Sequence, residues 1–339
     1  MTHLQHITPD EAVELYLDSR SHEVADSTYH AHKSRLGHFV RWCEGDGEIE
    51  SMNDLSGIDF NRYKIWRRED GDLNNVTVNT QLHTLRVFIK WAESIDAVRP
   101  GLHEYITPPS MAPKEDVRTV ILDDEAAADI QRHLRKFFYA TRNHVIFELL
   151  WHTGMRMGAL RALDLDDFKR ESQCIEARHR PETDTPLKNG ITGERNIALK
   201  DDVHQILCDY IDYHRPSKQD EYGRKPLITT RQGRISKGAV RVAVYCETRP
   251  CEYLGSCPHS RDIDSCEATQ GVHSASKCPS SVSPHALRKG SITWARLNDV
   301  PIEAVSKRMD VSPEILNKHY DQRTKDEEME ARRDYFEDL

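Results

Sequence analysis

Four prolines, Pro100, Pro108, Pro109 and Pro113, fall between Arg99 and Arg118, with Gly101 and the polar run Lys114-Glu115-Asp116 among them. Proline fixes φ and donates no backbone hydrogen bond, so no long helix or central strand passes through such a stretch. Its composition is that of a linker. A chain of 339 residues is also too long for one ordinary core. It is therefore expected to fold as two domains, residues 1–105 and 119–339, joined by a linker at 106–118.

The first part has helical periodicity throughout. Thr8-Pro9-Asp10-Glu11 has the form of a capping box with proline in the first turn and opens a helix towards Arg20. A second helix is expected from Asp26 to Cys43 and a third from Ile58 to Arg68. The fourth has the plainest pattern. Val78, Leu82, Leu85, Ile89 and Ala92 recur at steps of four, three, four and three and make one apolar stripe. Asn79, His83, Arg86 and Lys90 follow the same rhythm on a neighbouring face. That face has two readings: a grip on phosphates through charge attraction, with Arg35, Arg86 and Lys90 as candidate DNA contacts, or an ordinary solvated surface.

After the linker the pattern becomes mixed. Helices are expected at 123–137 and 139–153, and a shorter one to Leu163. Strand-like runs at Gln173–Ala177 and Arg195–Leu199 are joined by a long, turn-rich hairpin, and the remainder reads as helical except for a cysteine-rich segment. The longest apolar run, Val145 to Trp151, is interrupted by Glu148 and is far too short to span a bilayer. The opening residues lack the charged-then-apolar form of a secretion leader, so the expected location is the cytoplasm. Neither a glycine-rich phosphate loop nor another small-molecule cofactor motif occurs, which argues against a nucleotide-driven enzyme.

The net charge of −9 runs against a nucleic-acid partner at first sight. Net charge describes the whole surface, however, whereas phosphate binding depends on where the cations sit. The acids are dense in Asp123-Asp124-Glu125 and Asp326-Glu327-Glu328, and arginine outnumbers lysine. An acidic, arginine-rich surface also suits a high-salt cytoplasm, a hypothesis that a requirement for molar salt in folding would test.

Three islands in the second part belong together. They are Thr153-Gly154-Met155-Arg156, then His285-Ala286-Leu287-Arg288 behind the capping pair Ser283-Pro284, then Asn317-Lys318-His319-Tyr320. In this order and at these gaps they resemble the tyrosine recombinases, the phage integrases and Xer-like recombinases, including those of archaeal type. The resemblance covers nearly the whole chain. It implies a mainly α fold with a small β-sheet: an N-terminal helical (SAM-like) core-binding domain and an α+β catalytic domain. By the same resemblance Arg156 and Arg288 are the catalytic arginines, His285 their companion and Tyr320 the nucleophile, 32 residues after Arg288. A hairpin lysine protonates the leaving group in the family, and Lys188 is the candidate here. Double-stranded DNA is the implied partner, bound by a homotetramer on paired sites, with no small-molecule substrate and no catalytic metal. The C-terminal stretch Arg323–Leu339 is expected as a charged helix, either docked on a neighbouring protomer or solvated.

The residue types suit that chemistry without the family name. In-line attack on a phosphodiester builds negative charge on the non-bridging oxygens. Two guanidinium groups, always charged and planar, match those oxygens as metal ions do in many nucleases. A phenol with an ordinary pKa of about 10 needs nearby cations or a base to attack. A histidine titrating near neutrality can move the proton. Each residue also has an ordinary alternative: a capping or paired Arg156, a satisfied core His285, a solvated Lys188, or Tyr335 as the terminal tyrosine in place of Tyr320. Two family positions differ. Val311 stands nine residues before Tyr320, where the resemblance calls for a second histidine, so Asp310 or His319 takes over that contact or it is absent. Ala159 replaces the acidic residue three after the first arginine.

Five of the eight cysteines lie between Cys246 and Cys278, in a segment at about 246–280 that interrupts the catalytic domain. The other three, Cys43, Cys174 and Cys208, read as small core residues. Cys251, Cys257, Cys266 and Cys278, with Cys246, His259 and His273 nearby, suit a structural zinc more than disulfides. An iron–sulfur cluster or free thiols are the alternatives. Such a site would order the segment just ahead of His285 and Arg288. Two other functions fit the same sequence: a non-catalytic, zinc-containing DNA-binding regulator, and a type IB topoisomerase-like enzyme.

Overall fold

The computed structural model describes residues 4–112, 120–319 and 329. Tyr320 and nearly all of Arg323–Leu339 lie outside the described residues. The chain divides into two compact units, Met1–Arg118 and Thr119–Leu339.

The first unit is built from α1 (Pro9–Arg20), α2 (Asp26–Glu44), α3 (Gly57–Asp70) and α4 (Asn75–Ser94). Thr8 and Glu11 form the capping box that starts α1. All five stripe residues of α4 are buried, together with Phe88. Around them pack Tyr16, Phe39, Trp42 and Tyr63, with Phe39 meeting Tyr63 edge-on at 5.4 Å and Tyr16 meeting Phe88 at 5.4 Å. Burying several aromatic rings in one cluster is the main source of stability for a unit this small.

The second unit starts with α5 (Asp124–Phe137), α6 (Arg142–Thr153) and α7 (Met157–Ala162). Helix α6 begins later than the spacing predicts because Ala140, at φ 51°, turns the chain and Thr141 caps the helix. It is buried on nearly every side. Glu148 within it is satisfied by Gln131 at 2.7 Å and by Arg135 at 3.3 Å, as a buried carboxylate must be. A three-stranded antiparallel sheet follows, β1 (Phe168–Lys169), β2 (Cys174–Ala177) and β3 (Arg195–Ala198), in the order β1-β2-β3. Ile175 pairs with Ile197 across it and both are buried.

Next come α8 (Asp201–Asp209), a two-stranded ribbon β4 (Thr229–Thr230) and β5 (Gly233–Arg234), and α9 (Lys237–Glu247). The ribbon and the irregular chain before it correct the expectation of continuous helix there. Short α10 (Pro250–Leu254) opens the cysteine segment, and α11 (Pro284–Leu297), α12 (Ile302–Met309) and α13 (Pro313–His319) close the described fold. Cys43 and Cys208 are buried as expected, whereas Cys174, at the head of β2, is only half-buried.

A charged network fixes the root of the β2–β3 hairpin. Asp167 accepts from Arg180 at 2.9 and 2.6 Å, and Asp164 accepts from Arg224 at 2.8 Å and Arg234 at 2.6 Å. Arg224 also reaches Thr185 at 2.7 Å. A hairpin of this length therefore has a fixed path through its first half.

Candidate active site

Two glycines let three segments meet. Gly154 ends α6 at φ 57°, and a Cβ there would lie 2.6 Å from the sulfur of Met309. Gly290 in α11 lets the Leu122 carbonyl approach, since a Cβ would stand 2.0 Å from that oxygen. Without a side chain at either place, α11 and the end of α12 can close on the turn that carries Arg156.

Arg156 caps the start of α7 with extended backbone (φ −70°, ψ 146°), which leaves its side chain free to reach outward. Arg288 lies on α11, three residues after the exposed His285 and so on the same face. It is 3% exposed. Its guanidinium donates to the carbonyls of Gly154 and of Met309, the latter at 2.7 Å, and to that of Asp310 at 3.3 Å. Arg288 thereby ties together two segments that the sequence holds far apart.

Asp310 is the meeting point. It sits at φ 54° as the cap of α12, a left-handed conformation that a short polar side chain tolerates. Its carboxylate pairs with Arg156 and accepts from Asn189 at 2.7 Å. Asn189 follows Lys188 in the β2–β3 hairpin, so that hairpin brings Lys188, exposed to solvent, to the edge of the site. Arg156 and Arg288 thus bond to one residue, through its side chain and its backbone respectively.

More arginines stand around it than the motifs predict. Arg195 opens β3 and donates to the Arg308 carbonyl at 2.7 Å and to Gly193 at 2.8 Å. Burial pulls Arg195 below the ordinary arginine value, opposed by Asp310 and reinforced by Arg156 and Arg308. Arg308 donates to the Ala198 carbonyl at 3.0 Å and approaches His152 Nε2 at 3.0 Å. Burial first, and the charges of Arg308 and Lys200 second, push His152 down to about 4, so it is a neutral acceptor. Four guanidinium groups, those of Arg156, Arg288, Arg195 and Arg308, with one carboxylate and an uncharged histidine make a net cationic recess. Beside it opens a pocket of about 540 Å³ whose lining includes Asn189, Arg195, Lys307, Asp310 and Ser312. Such a recess is suited to a phosphate or other anion, with arginine forks as the donors.

In the first unit, Arg35 donates to Thr84 at 3.0 Å, and Arg86 donates to the Ile106 carbonyl. Asn79 holds the Pro109 carbonyl at 3.0 Å, so this part of the polar face anchors the chain after α4. Lys90 is exposed.

No protein-family model matches the chain, and no curated protein matches it. Solved structures do. The integrase of transposon Tn1549, in complex with transposon right end DNA, aligns with a TM-score of 0.65 at 18% identity, over 95% of this chain and 98% of its own. A lambda integrase dimer bound to a COC′ core site aligns with a TM-score of 0.64 at 13% identity, over 95% of this chain and 79% of its own. The fold is that of the tyrosine recombinases. At these identities the likeness is one of architecture.

On a tyrosine recombinase fold the two departures seen in sequence acquire a physical setting. Val311 is buried with Ile292, Val305, Met309 and Leu316, a small cluster that pins α13 against α11 and α12. It is a packing residue, and the polar side chain at this corner belongs to Asp310. Ala159 is likewise buried, within the main core of the unit. Helix α13 ends at His319, the residue before Tyr320. Arg195 and Arg308 had no motif to announce them, because they are brought in by the packing of β3 against α12, whereas Asp310, expected as one stand-in for the missing histidine, pairs with Arg156.

Proposed function

We propose that this chain is a site-specific DNA recombinase that cuts and rejoins duplex DNA through a covalent link between Tyr320 and a 3′ phosphate. The observation that carries this reading is the convergence of Arg156 and Arg288 on Asp310 inside an arginine-lined recess. A scissile phosphate entering there displaces the Asp310 carboxylate from Arg156. Arg156 and Arg288 then counter the charge that builds on the non-bridging oxygens during attack. The Tyr320 oxygen forms the bond to phosphorus while the 5′ oxygen leaves, taking a proton from Lys188. His285, exposed one helical turn from Arg288, manages the proton of the attacking phenol. The phosphodiester energy stays in the protein–DNA link, so the cycle needs neither nucleotide nor catalytic metal.

Arg35, Arg86 and Lys90 would contact the DNA backbone from the first unit, and four protomers would assemble on paired sites. Among the described residues no helix is long and apolar enough to cross a membrane. Val311 favours one rival, a regulator that binds DNA without cutting it, because valine cannot donate to a phosphate oxygen.

Suicide duplexes drawn from DNA flanking the coding sequence, each nicked near the cleavage point, separate these readings. A recombinase forms a covalent adduct and then exchanges strands between two duplexes. A topoisomerase-like enzyme forms the adduct without exchange, and a regulator forms none.

A further inference from the structure

The excursion between α9 and α11 has almost no hydrophobic core. Across residues 251–280 only Ala268 and Ala275 are fully buried. Its base is tied: Val282 N donates to Thr248 Oγ1 at 2.9 Å, and Ser283 then caps α11. Ordering so many residues costs far more conformational entropy than two alanines return. Something further must hold it.

Cys251, Cys257, Cys266 and Cys278 line one small cavity, although they come from separate turns. Its volume is about 10 Å³, room for the centre of one water-sized sphere. An organic ligand does not fit, but a single ion does. The carbonyls of Cys257, Cys266 and Cys278 each accept from the amide three residues on, at 3.2, 2.9 and 3.2 Å, so three of the four cysteines open the same kind of tight turn. All four are free thiols. Arg249 lines the same cavity. Its outer nitrogens hold the Ala268 carbonyl at 2.6 Å and Glu252 at 2.8 Å, while its Nε is buried without a hydrogen-bond partner. Among the described residues no three His, Cys, Asp or Glu are already grouped closely enough to hold a metal ion. An ion held at this cavity would need the four thiols to turn inward.

We infer that these four cysteines form a tetrathiolate zinc site that folds the excursion ahead of α11. Four soft thiolates fill the tetrahedral shell of zinc and leave no open position, which makes the site structural. Binding one Zn²⁺ releases four protons and leaves two net negative charges beside Arg249. Cys246, whose sulfur points to the Val272 carbonyl at 3.6 Å, is not a ligand.

The test does not depend on DNA chemistry. The full chain, purified under reducing conditions, is analysed for bound metal and then exchanged with Co²⁺. One zinc per chain is expected, as are the intense visible bands of a tetrahedral cobalt thiolate. Cys257→Ser and Cys266→Ser should each lose the metal, whereas Cys174→Ser should keep it. Metal-free wild-type protein with zinc supplied overturns the inference, as does iron with labile sulfide in place of zinc. If the serine variants do not fold, the cobalt spectrum of the wild-type chain decides alone.

Discussion

Asp310 closes an ion pair with Arg156 across 154 residues of sequence, while its backbone carbonyl accepts from Arg288 at 3.3 Å. The carboxylate satisfies a guanidinium that would otherwise lie half-buried and unpaired. It also competes with any other anion. Asp310→Asn keeps the contact with Asn189 but removes the charge. Binding to duplex DNA should tighten about fivefold, the worth of roughly 1 kcal/mol for a partly exposed pair. The slope of log affinity against log salt should steepen by about 0.9, one extra phosphate neutralised. Filter binding across a salt series measures both, and unchanged affinity would mean the pair does not compete with DNA.

The two motif arginines should separate under mutation. Arg156 is about a quarter exposed and makes one ion pair, so Arg156→Gln should cost only about 1 kcal/mol of stability. Adduct formation should nevertheless fall by about 10²–10³, the usual effect of removing one charge-stabilising donor. Arg288 is different, because it satisfies the carbonyls of Gly154, Met309 and Asp310 from a buried position. Arg288→Ala should lose activity and at least about 3 kcal/mol of stability together. Single-turnover cleavage beside urea unfolding distinguishes the two.

Much of this arrangement is visible in the residue order, for identifiable reasons. The stripe from Val78 to Ala92 is legible because 3.6-residue periodicity is a local property, and the buried face of α4 follows it. The hairpin strands at Cys174 and Arg195 are legible because alternation is also local. Asp310 was legible only as one stand-in for the missing histidine, and neither its pairing with Arg156 nor the place of Arg195 was. Their importance comes from contacts over more than a hundred residues, and a lone Asp or Arg carries no signal of its partner. The β4–β5 ribbon, two residues a side, is too short to leave a pattern. Tyr320 rests on spacing alone.

His152 gives the second unit an acid sensitivity. It is neutral in the folded chain because its value is pushed from 6.5 to about 4, whereas the unfolded chain binds a proton near 6.5. Unfolding therefore takes up a proton as pH falls through that window, and stability drops between about pH 6.5 and 4. The size is roughly 3 kcal/mol. His32 and His38, also held low by burial, act in the same direction. The informative quantity is thus the difference between wild type and His152→Gln. The variant should show a flatter stability curve over that range in a pH series of thermal melts; parallel curves would refute the assignment.

The buried network at the hairpin root should be intolerant of gaps. Asp164 serves Arg224 and Arg234. Asp164→Ala leaves both guanidinium groups without that partner and should cost about 3–5 kcal/mol. Asp166→Ala, at an exposed neighbour, should stay within about 0.5 kcal/mol. Urea titration of the two variants checks the contrast.

The account turns on which atom of the protein carries the DNA. Adduct trapped on a nicked duplex, digested with protease and nuclease and sequenced by mass spectrometry, identifies that residue. The prediction is a nucleotide joined through its 3′ phosphate to the peptide containing Tyr320, absent from Tyr320→Phe. A nucleotide on Tyr335 or on any serine, or an adduct that persists in Tyr320→Phe, would contradict it.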